Sequence, residues 1–288
     1  MRTATRIEWT EVTWNPTTGC DRISPGCDHC YALTLAKRLK AMGQAKYQRD
    51  GDPRTSGPGF GVTLHADVLA EPPRWRTPRK VFVNSMSDVG HARVGRSFVA
   101  RTWAVMALAR RHTFQVLTKR PKRLAVMLAD PGFVRQVGEA AMEISGGTPP
   151  GVWRMDMTGW TPDGGIEERV WMPPWPLSNV WVGTSIESDE YTWRAYELRR
   201  APAAIRFLSL EPLLGPLPSL DLAGIDWVIV GGESGPDFRP LDLGWVRELR
   251  TAALACGFRC SSNRSAGSRL KRAGACWTAG PGTSIRHD

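Results

Sequence analysis

The sequence predicts an α/β fold built on a parallel sheet, open or closed into a barrel. Two observations carry this. Five short apolar runs recur along the chain: Val81-Phe82-Val83, Phe114-Gln115-Val116-Leu117, Val180-Trp181-Val182, Arg206-Phe207-Leu208 and Trp227-Val228-Ile229-Val230. Unbroken runs of this kind suit strands buried on both faces, as in a parallel sheet. Between the runs lie amphipathic stretches, and strand alternating with helix is the pattern of a parallel α/β sheet.

The elements follow in order. Leu35, Leu39 and Met42 share one helical face. Phe98, Val99, Trp103, Met106 and Ala107 share the face of a second helix. Pro121, directly after Lys119-Arg120, suits the first turn of a third helix carrying Leu124 and Leu128. Two segments interrupt the alternation. Residues 43–65 are polar and rich in Gly and Pro. Residues 146–178 hold six Pro, six Gly and four Trp, so they read as an excursion and not as core. Long loops in compact domains often serve as lids or binding loops, and a surface insertion without a role is the competing reading.

Composition bounds the function classes. With 42% apolar and 23% charged residues, the 288-residue chain is ordinary for a globular protein and excludes global disorder. No run of about 18 apolar residues predicts a membrane span. The first residues, MRTATRIEWTEV, lack the apolar stretch of a signal peptide, so a cytoplasmic protein is expected. In a reducing compartment six cysteines are metal ligands or spectators sooner than disulfides.

Each apolar run ends in a polar cluster. Val83 leads to Asn84-Ser85-Met86-Ser87-Asp88, Leu117 to Thr118-Lys119-Arg120, and Val182 to Gly183-Thr184-Ser185-Ile186-Glu187. Leu208 leads to Ser209-Leu210-Glu211-Pro212, and Val230 to Gly231-Gly232-Glu233-Ser234. Ligand sites of parallel α/β folds lie at the carboxyl ends of the strands. Five clusters in phase therefore predict one rim. On it Lys119 could hold a carboxylate or phosphate, and Glu211 and Glu233 an amine or ribose hydroxyl. These three are the candidate catalytic residues; a solvated charge or a rim salt bridge is the plainer alternative for each.

Cys20, Cys27 and Cys30 form C-x6-C-x2-C in the loop GCDRISPGCDHCYA. Three thiolates with no fourth cysteine nearby suit a 4Fe–4S cluster held through three irons, with the fourth iron open. They also suit a Cys3His zinc site completed by His29, His65 or His91. A catalytic cysteine fits less well, because a nucleophile needs one thiolate and a base.

These segments meet a known family. The stretches TWNPTTGCDRISPGCDHCYA (13–32), VFVNSMSD (81–88), FQVLTKRPKRL (114–124), NVWVGTSIE (179–187), RFLSLEPLLGP (206–216) and IDWVIVGGESGP (225–236) resemble the phage gene-product 37 / gene-product 68 family. That family carries a three-cysteine motif and is related to radical S-adenosylmethionine (SAM) enzymes. The resemblance implies a radical-SAM-like partial (β/α) barrel of about six to seven parallel strands over residues 1–257. It places the 4Fe–4S cluster on Cys20, Cys27 and Cys30, in the loop after the first strand. SAM would chelate the open iron and yield a 5′-deoxyadenosyl radical on reductive cleavage. Two departures stand out. The usual spacing is C-x3-C-x2-C, and the usual aromatic before the last cysteine is here His29, with Tyr31 one residue later. Gly231-Gly232-Glu233 comes too late in the chain to take the role of the familiar Gly-Gly-Glu motif. In its place the expected SAM-binding residues are Asn84, Ser85 and Asp88, joined by His29, Tyr31, Ser185 and Glu187.

The resemblance stops near Gly257. Members of the family usually continue with a strand like VPFFFKQ and end near LDGRTW. Back-translated with permitted codons and shifted by one missing base after Cys256, residues 257–267 can read GIPVFFKQVGG, and the end GRGMLDGRTWNEYPAR. Residues 258–288 are therefore expected to be a frameshifted, disordered tail. That tail holds six of the Lys and Arg residues against Asp288 alone, half of the formal charge of +10. The basic balance, which by itself invites a nucleic-acid partner, is thus mild in the body.

Three functions follow. The first is a radical SAM-type iron–sulfur enzyme of phage or prophage origin with an unspecified substrate, nucleic-acid modification or repair being one option. The second is a zinc-stabilised, non-catalytic nucleic-acid-binding protein. The third is a barrel acting on a small anionic ligand through Lys119 and Arg120.

Overall fold

The computed structural model describes residues 5, 7–147, 153–160, 166–234, 237–261 and 275–279. The first half runs β1 (Val12–Trp14), β2 (Thr17–Thr18), α1 (Tyr31–Ala41), β3 (Thr63–Leu64), β4 (Lys80–Val83), α2 (Arg96–Leu108) and β5 (Thr113–Thr118). Next come α3 (Pro121–Ala129), α4 (Pro131–Ser145), β6 (Arg154–Trp160), β7 (Ile166–Met172), β8 (Val180–Ser185), α5 (Trp193–Arg199) and β9 (Ile205–Leu210). The chain continues through β10 (Trp227–Val230), α6 (Leu243–Ala255), β11 (Phe258–Ser261) and β12 (Ala275–Ala279). No helix among the described residues is long and apolar enough to cross a membrane.

Six strands, β1, β4, β5, β8, β9 and β10, pair in parallel and in chain order. All five apolar runs of the sequence fall inside them. Alternation sorts their side chains into two layers. Val81, Val83, Phe114, Val116, Val182, Leu208 and Val228 face outward into the main core with the helices. Trp103 of α2 meets Phe133 of α4 edge-on in that core, with ring centroids 6.3 Å apart. Phe207, Trp227 and Ile229 form a second cluster with Trp9, Leu117 and Trp181 on the other face.

Trp9 shows how strongly the sheet curves. Its indole lies 4.7 Å from the ring of Phe82 on β4, 6.2 Å from Phe207 on β9 and 6.0 Å from Trp227 on β10. One side chain thus bridges the second and sixth strands, while Gln115 Nε2 donates to the Trp9 carbonyl at 3.1 Å. The curl is incomplete: β1 is an edge, and β10 pairs with β12 in place of β1. The architecture is an α/β partial barrel. Gly183 is required by this curvature, since a Cβ there would sit 2.5 Å from the Phe207 ring.

Three expectations are corrected. On α1 the predicted Leu35–Leu39–Met42 face is not the buried one. Ala32 and Ala36 are buried against Phe60 and Met86, with Leu33 and Leu39 at the margin, while Leu35 and Met42 are exposed. The small Ala faces let the helix pack closely, and an apolar-moment argument overlooks them. The 146–178 excursion contains a hairpin, β6–β7, packed on α4; a Cβ on Gly138 would sit 2.3 Å from the Trp171 carbonyl oxygen. In the tail expected to be structureless, β12 pairs antiparallel with β10, and β11 with β12. Residues 262–274 and 280–288 of that tail lie outside the described residues.

Candidate functional site

The carboxyl ends of the six strands open into a cavity of about 990 Å³. Its floor is apolar, with Trp9, Phe82, Leu117 and Ile229. Its walls carry Thr13, Asn15, Asn84, Ser85, Ser185, Ser209 and Glu211. Cys20, Cys27 and Cys30 line the same cavity, with His29 and Tyr31 beside them. Their loop follows β1 and β2, and Cys30 caps the amino end of α1. Burial pushes the Cys20 thiol up to about 12, with Asp88 adding to the effect and Arg120 opposing it. Burial likewise raises the Cys30 thiol, and the neighbouring Cys27 adds to the rise in both. The three sulfurs therefore share one electrostatic neighbourhood. Among the described residues no group of three or more His, Cys, Asp or Glu is drawn together tightly enough to hold a single ion.

Charged anchors from three strand ends fasten this loop. After β5, Arg120 donates to Cys20 Sγ at 3.4 Å, to the Asp21 carbonyl at 3.1 Å and to Asp88 Oδ2 at 2.9 Å. After β8, Glu187 accepts from the Gly26 N–H at 3.4 Å, from Lys119 Nζ at 2.8 Å and from Arg194 Nη1 at 3.0 Å. After β10, Glu233 accepts from Arg239, which also donates to the Pro25 carbonyl at 2.8 Å. His29 Nδ1 lies 3.0 Å from Glu233 Oε2. Burial raises the Glu187 carboxyl, but Lys119 and Arg194 outweigh it and hold the group below its ordinary value. Glu233 is likewise held low: burial pushes up, and the hydrogen bonds from Arg239 win.

Residues 43–65 form the outer bracket of the same loop. Thr55 and Ser56 donate to Asp21 Oδ1 at 2.8 and 3.1 Å, and Arg22 N donates to the Thr55 carbonyl at 3.0 Å. Gly19, at φ +85°, is pressed so close to Gly61 that a Cβ would lie 2.3 Å from its carbonyl oxygen. The insertion is thus part of the site's scaffold.

The predicted residues separate accordingly. Lys119 and Glu233, expected as catalytic, are bound into the anchors. Glu187, 1% exposed, is buried between Lys119 and Arg194 and does not line the cavity. Asp88 accepts from Thr118 Oγ1, the Lys119 and Gly90 N–H groups and Arg120, so its oxygens are filled by the protein. Asp88 and Glu233 each have four contacts, which fill a carboxylate, and Glu187 and Lys119 are paired with each other, so all four hold the loop in place. Glu211 and Ser185 remain on the wall. Tyr31 donates to the Ser85 carbonyl at 2.6 Å, and Ser85 Oγ donates to Asn15 Oδ1 at 3.2 Å, tying α1 to the end of β4. The three histidines considered for zinc are all engaged: His29 on Glu233, His65 on Thr18 at 2.8 Å, and His91 between Asp21 and the Arg93 N–H. Sequence reasoning overlooked Arg194, Arg239 and Asp21; nothing in a helical WRAYELR or an isolated FRP marks an arginine as buried or bridging.

Residues 4–260 match a family described as protein of unknown function, DUF5131. The chain belongs to the DUF5131 family. No curated protein and no solved structure matches it. The DUF5131 span takes in the cysteine loop, the cavity lining and all three anchors, and it ends four residues beyond Cys256.

Proposed function

We propose that the protein is a radical SAM-type iron–sulfur enzyme, of phage or prophage origin as its resemblance to the phage gene-product 37 / gene-product 68 family implies. The observation that carries this reading is a loop of three cysteines lining the mouth of a 990 Å³ cavity at the carboxyl ends of a parallel partial barrel. The donor chemistry fits the group. Zinc needs four donors within about 4 Å of one another, as follows from Zn–S bonds of about 2.3 Å. A 4Fe–4S cluster takes one thiolate per iron, so its ligands stand further apart. Cys20, Cys27 and Cys30 would hold the cluster. When bound, it supplies the electron for reductive cleavage of SAM.

The chain's own residues have defined tasks in this reading. Arg120 donates to Cys20 Sγ and offsets thiolate charge. Lys119 and Arg239 bring two further cations to the loop. Asn84, Ser85 and Tyr31 stand beside the cysteines, and the floor beneath them is apolar.

The test is anaerobic purification and reconstitution with iron and sulfide, followed by visible absorbance that bleaches on reduction. SAM is then added and 5′-deoxyadenosine assayed. A colourless protein with one zinc per chain would overturn the proposal. A steep salt dependence of DNA or RNA binding would support a phosphate-tracking surface, and its absence would favour a small-molecule or peptide substrate.

A further inference from the structure

α1 turns an apolar strip toward solvent. Tyr31, Leu35 and Met42 recur at helical spacing along one side of it and are 43%, 38% and 60% exposed. Ala32 and Ala36 hold the helix against Phe60 and Met86, with Leu39 at the margin, and the three exposed side chains stay outside that cluster. Tyr31 and Leu35 belong to the cavity lining, and so does Ile23 of the cysteine loop, 41% exposed. Met42 stands outside the lining. The strip therefore leaves the cavity next to Cys30 and continues for about 16 Å along the helix, at 1.5 Å per residue. A molecule confined to the cavity leaves its outer end bare. Contiguous exposed apolar side chains of this kind mark contact with another molecule.

We propose that the substrate is a protein, and that Ile23, Tyr31, Leu35 and Met42 form the track on which an apolar segment of it, flanked by acidic residues, docks beside the barrel mouth. This deepens the proposed function and rests on it. Charge complementarity sets the flanks. α1 carries Lys37, Arg38 and Lys40 and no acidic residue. Lys40 is taken up by Asp50, whereas Lys37 and Arg38 are exposed and, among the described residues, have no carboxylate partner. Arg22, exposed on the cavity lining, donates only to the Thr55 and Arg54 carbonyls, at 3.2 and 3.0 Å, so its charge is not neutralised there. Asp28, the exposed acid of the loop, faces Arg239 at 3.9 Å. The strip favours a polypeptide over a nucleic acid. Its side chains are aliphatic except Tyr31, whose hydroxyl is tied to the Ser85 carbonyl, so it offers no run of aromatic platforms for stacked bases. An apolar centre with a charged rim is the anatomy of a protein–protein contact.

The test is selection from a phage-displayed library of random peptides of about twelve residues, long enough to cover the strip at about 3.3 Å per residue. The bait is the full chain reconstituted with iron and sulfide. Enriched peptides should combine Leu, Ile, Met or Phe with Asp or Glu. Fluorescence anisotropy of an enriched peptide should show affinity lower on the order of 10- to 100-fold for Leu35→Ser/Met42→Ser than for the wild type. The melting temperature of that variant should hold, because both side chains are exposed. Lys37→Glu/Arg38→Glu should slow association and flatten its salt dependence. Oligothymidine and oligouridine should bind the wild type and the Leu35→Ser/Met42→Ser variant alike. A library that enriches nothing, an enriched peptide that binds this variant as tightly as the wild type, or oligonucleotide binding that the variant loses would each overturn the inference. Iron–sulfur absorbance and 5′-deoxyadenosine formation alongside such a result would leave the proposed function standing. Strip-dependent peptide binding by a colourless zinc protein would overturn the proposed function and keep only the docking surface.

Discussion

Replacing Arg194 by methionine should unfold more than one helix turn's worth of structure, because of what Arg194 holds. It is 1% exposed, and its Nη1 donates to the Ser185 carbonyl at 2.9 Å and to Glu187 Oε2 at 3.0 Å. Its guanidinium also lies 4.3 Å from the centroid of the Tyr191 ring. Methionine keeps most of the alkyl volume but leaves the Ser185 carbonyl without its donor, about 1–3 kcal/mol. Breaking a buried ion pair costs about 3–5 kcal/mol when the remaining charge has no other partner. Glu187 retains Lys119, so the expected loss is near the lower limit, about 3 kcal/mol. For a chain of this size that lowers Tm by about 6–12 °C. Urea unfolding of the wild type, Arg194→Met, Glu187→Met and the double variant gives the pair's coupling directly. The double variant should cost at least about 1 kcal/mol less than the sum of the singles. A single-variant loss under about 1 kcal/mol, or simple additivity, would refute the claim that the pair is buried and coupled. Glu187 titrates below its ordinary value in the fold. Its contribution is therefore present above its unfolded pKa of about 4.3 and is lost as pH falls through the lower folded value, so the Arg194→Met penalty should shrink in acid.

Other consequences can be measured as readily. Gly183→Ala forces a methyl group into the Phe207 ring and should cost about 1–3 kcal/mol in urea unfolding; a neutral substitution would mean the sheet curves less than described. Arg120→Gln removes the donor on Cys20 and the link to Asp88. Iron retained against a chelator should weaken about 10- to 100-fold, and wild-type retention would show that Arg120 does not support the loop. Asp21 and Glu233 are also held below their ordinary values, so acid should loosen the loop as pH falls through those depressed values. Far-UV and near-UV circular dichroism from pH 7 to 3 would show near-UV signal lost first. If the tail is out of frame, the codons after Cys256 must permit GIPVFFKQVGG in the shifted frame; a coding sequence that cannot give this reading disposes of the frameshift.

The parallel strands were legible because each is a run of apolar residues with a polar end, a pattern that both faces of a buried sheet impose. β1 was harder to see, since Val12-Thr13-Trp14 alternates and is short. The cysteine loop was legible from spacing alone. The work of the charged residues was not. Lys119, Glu187 and Glu233 announce themselves as polar groups at strand ends, which is equally what catalysis and anchoring require. Only their partners separate the two: Gly26 lies far from Glu187 in sequence, while Arg194 and Arg239 lie within seven residues of the carboxylates they bind but have nothing in their neighbourhood that marks them as buried or bridging. Asn84 was named from its place after β4; its left-handed backbone (φ 62°) and its buried, unpaired amide nitrogen have no signature in the string of letters.

The cysteine loop occupies residues 20–30, yet its fastenings come from residues 119, 120, 187, 233 and 239. During synthesis the three thiols and their outer bracket, Thr55 and Ser56, emerge early, and the charged groups that anchor them emerge only as the sheet is completed. Until β10 is in place the loop lacks its Glu233–Arg239 anchor, and its thiols are more open to oxidation and to capture of whatever metal is at hand. Insertion of the proper group is therefore a late event, and yields of active protein should depend more on the thiol and metal environment during translation than on conditions after purification.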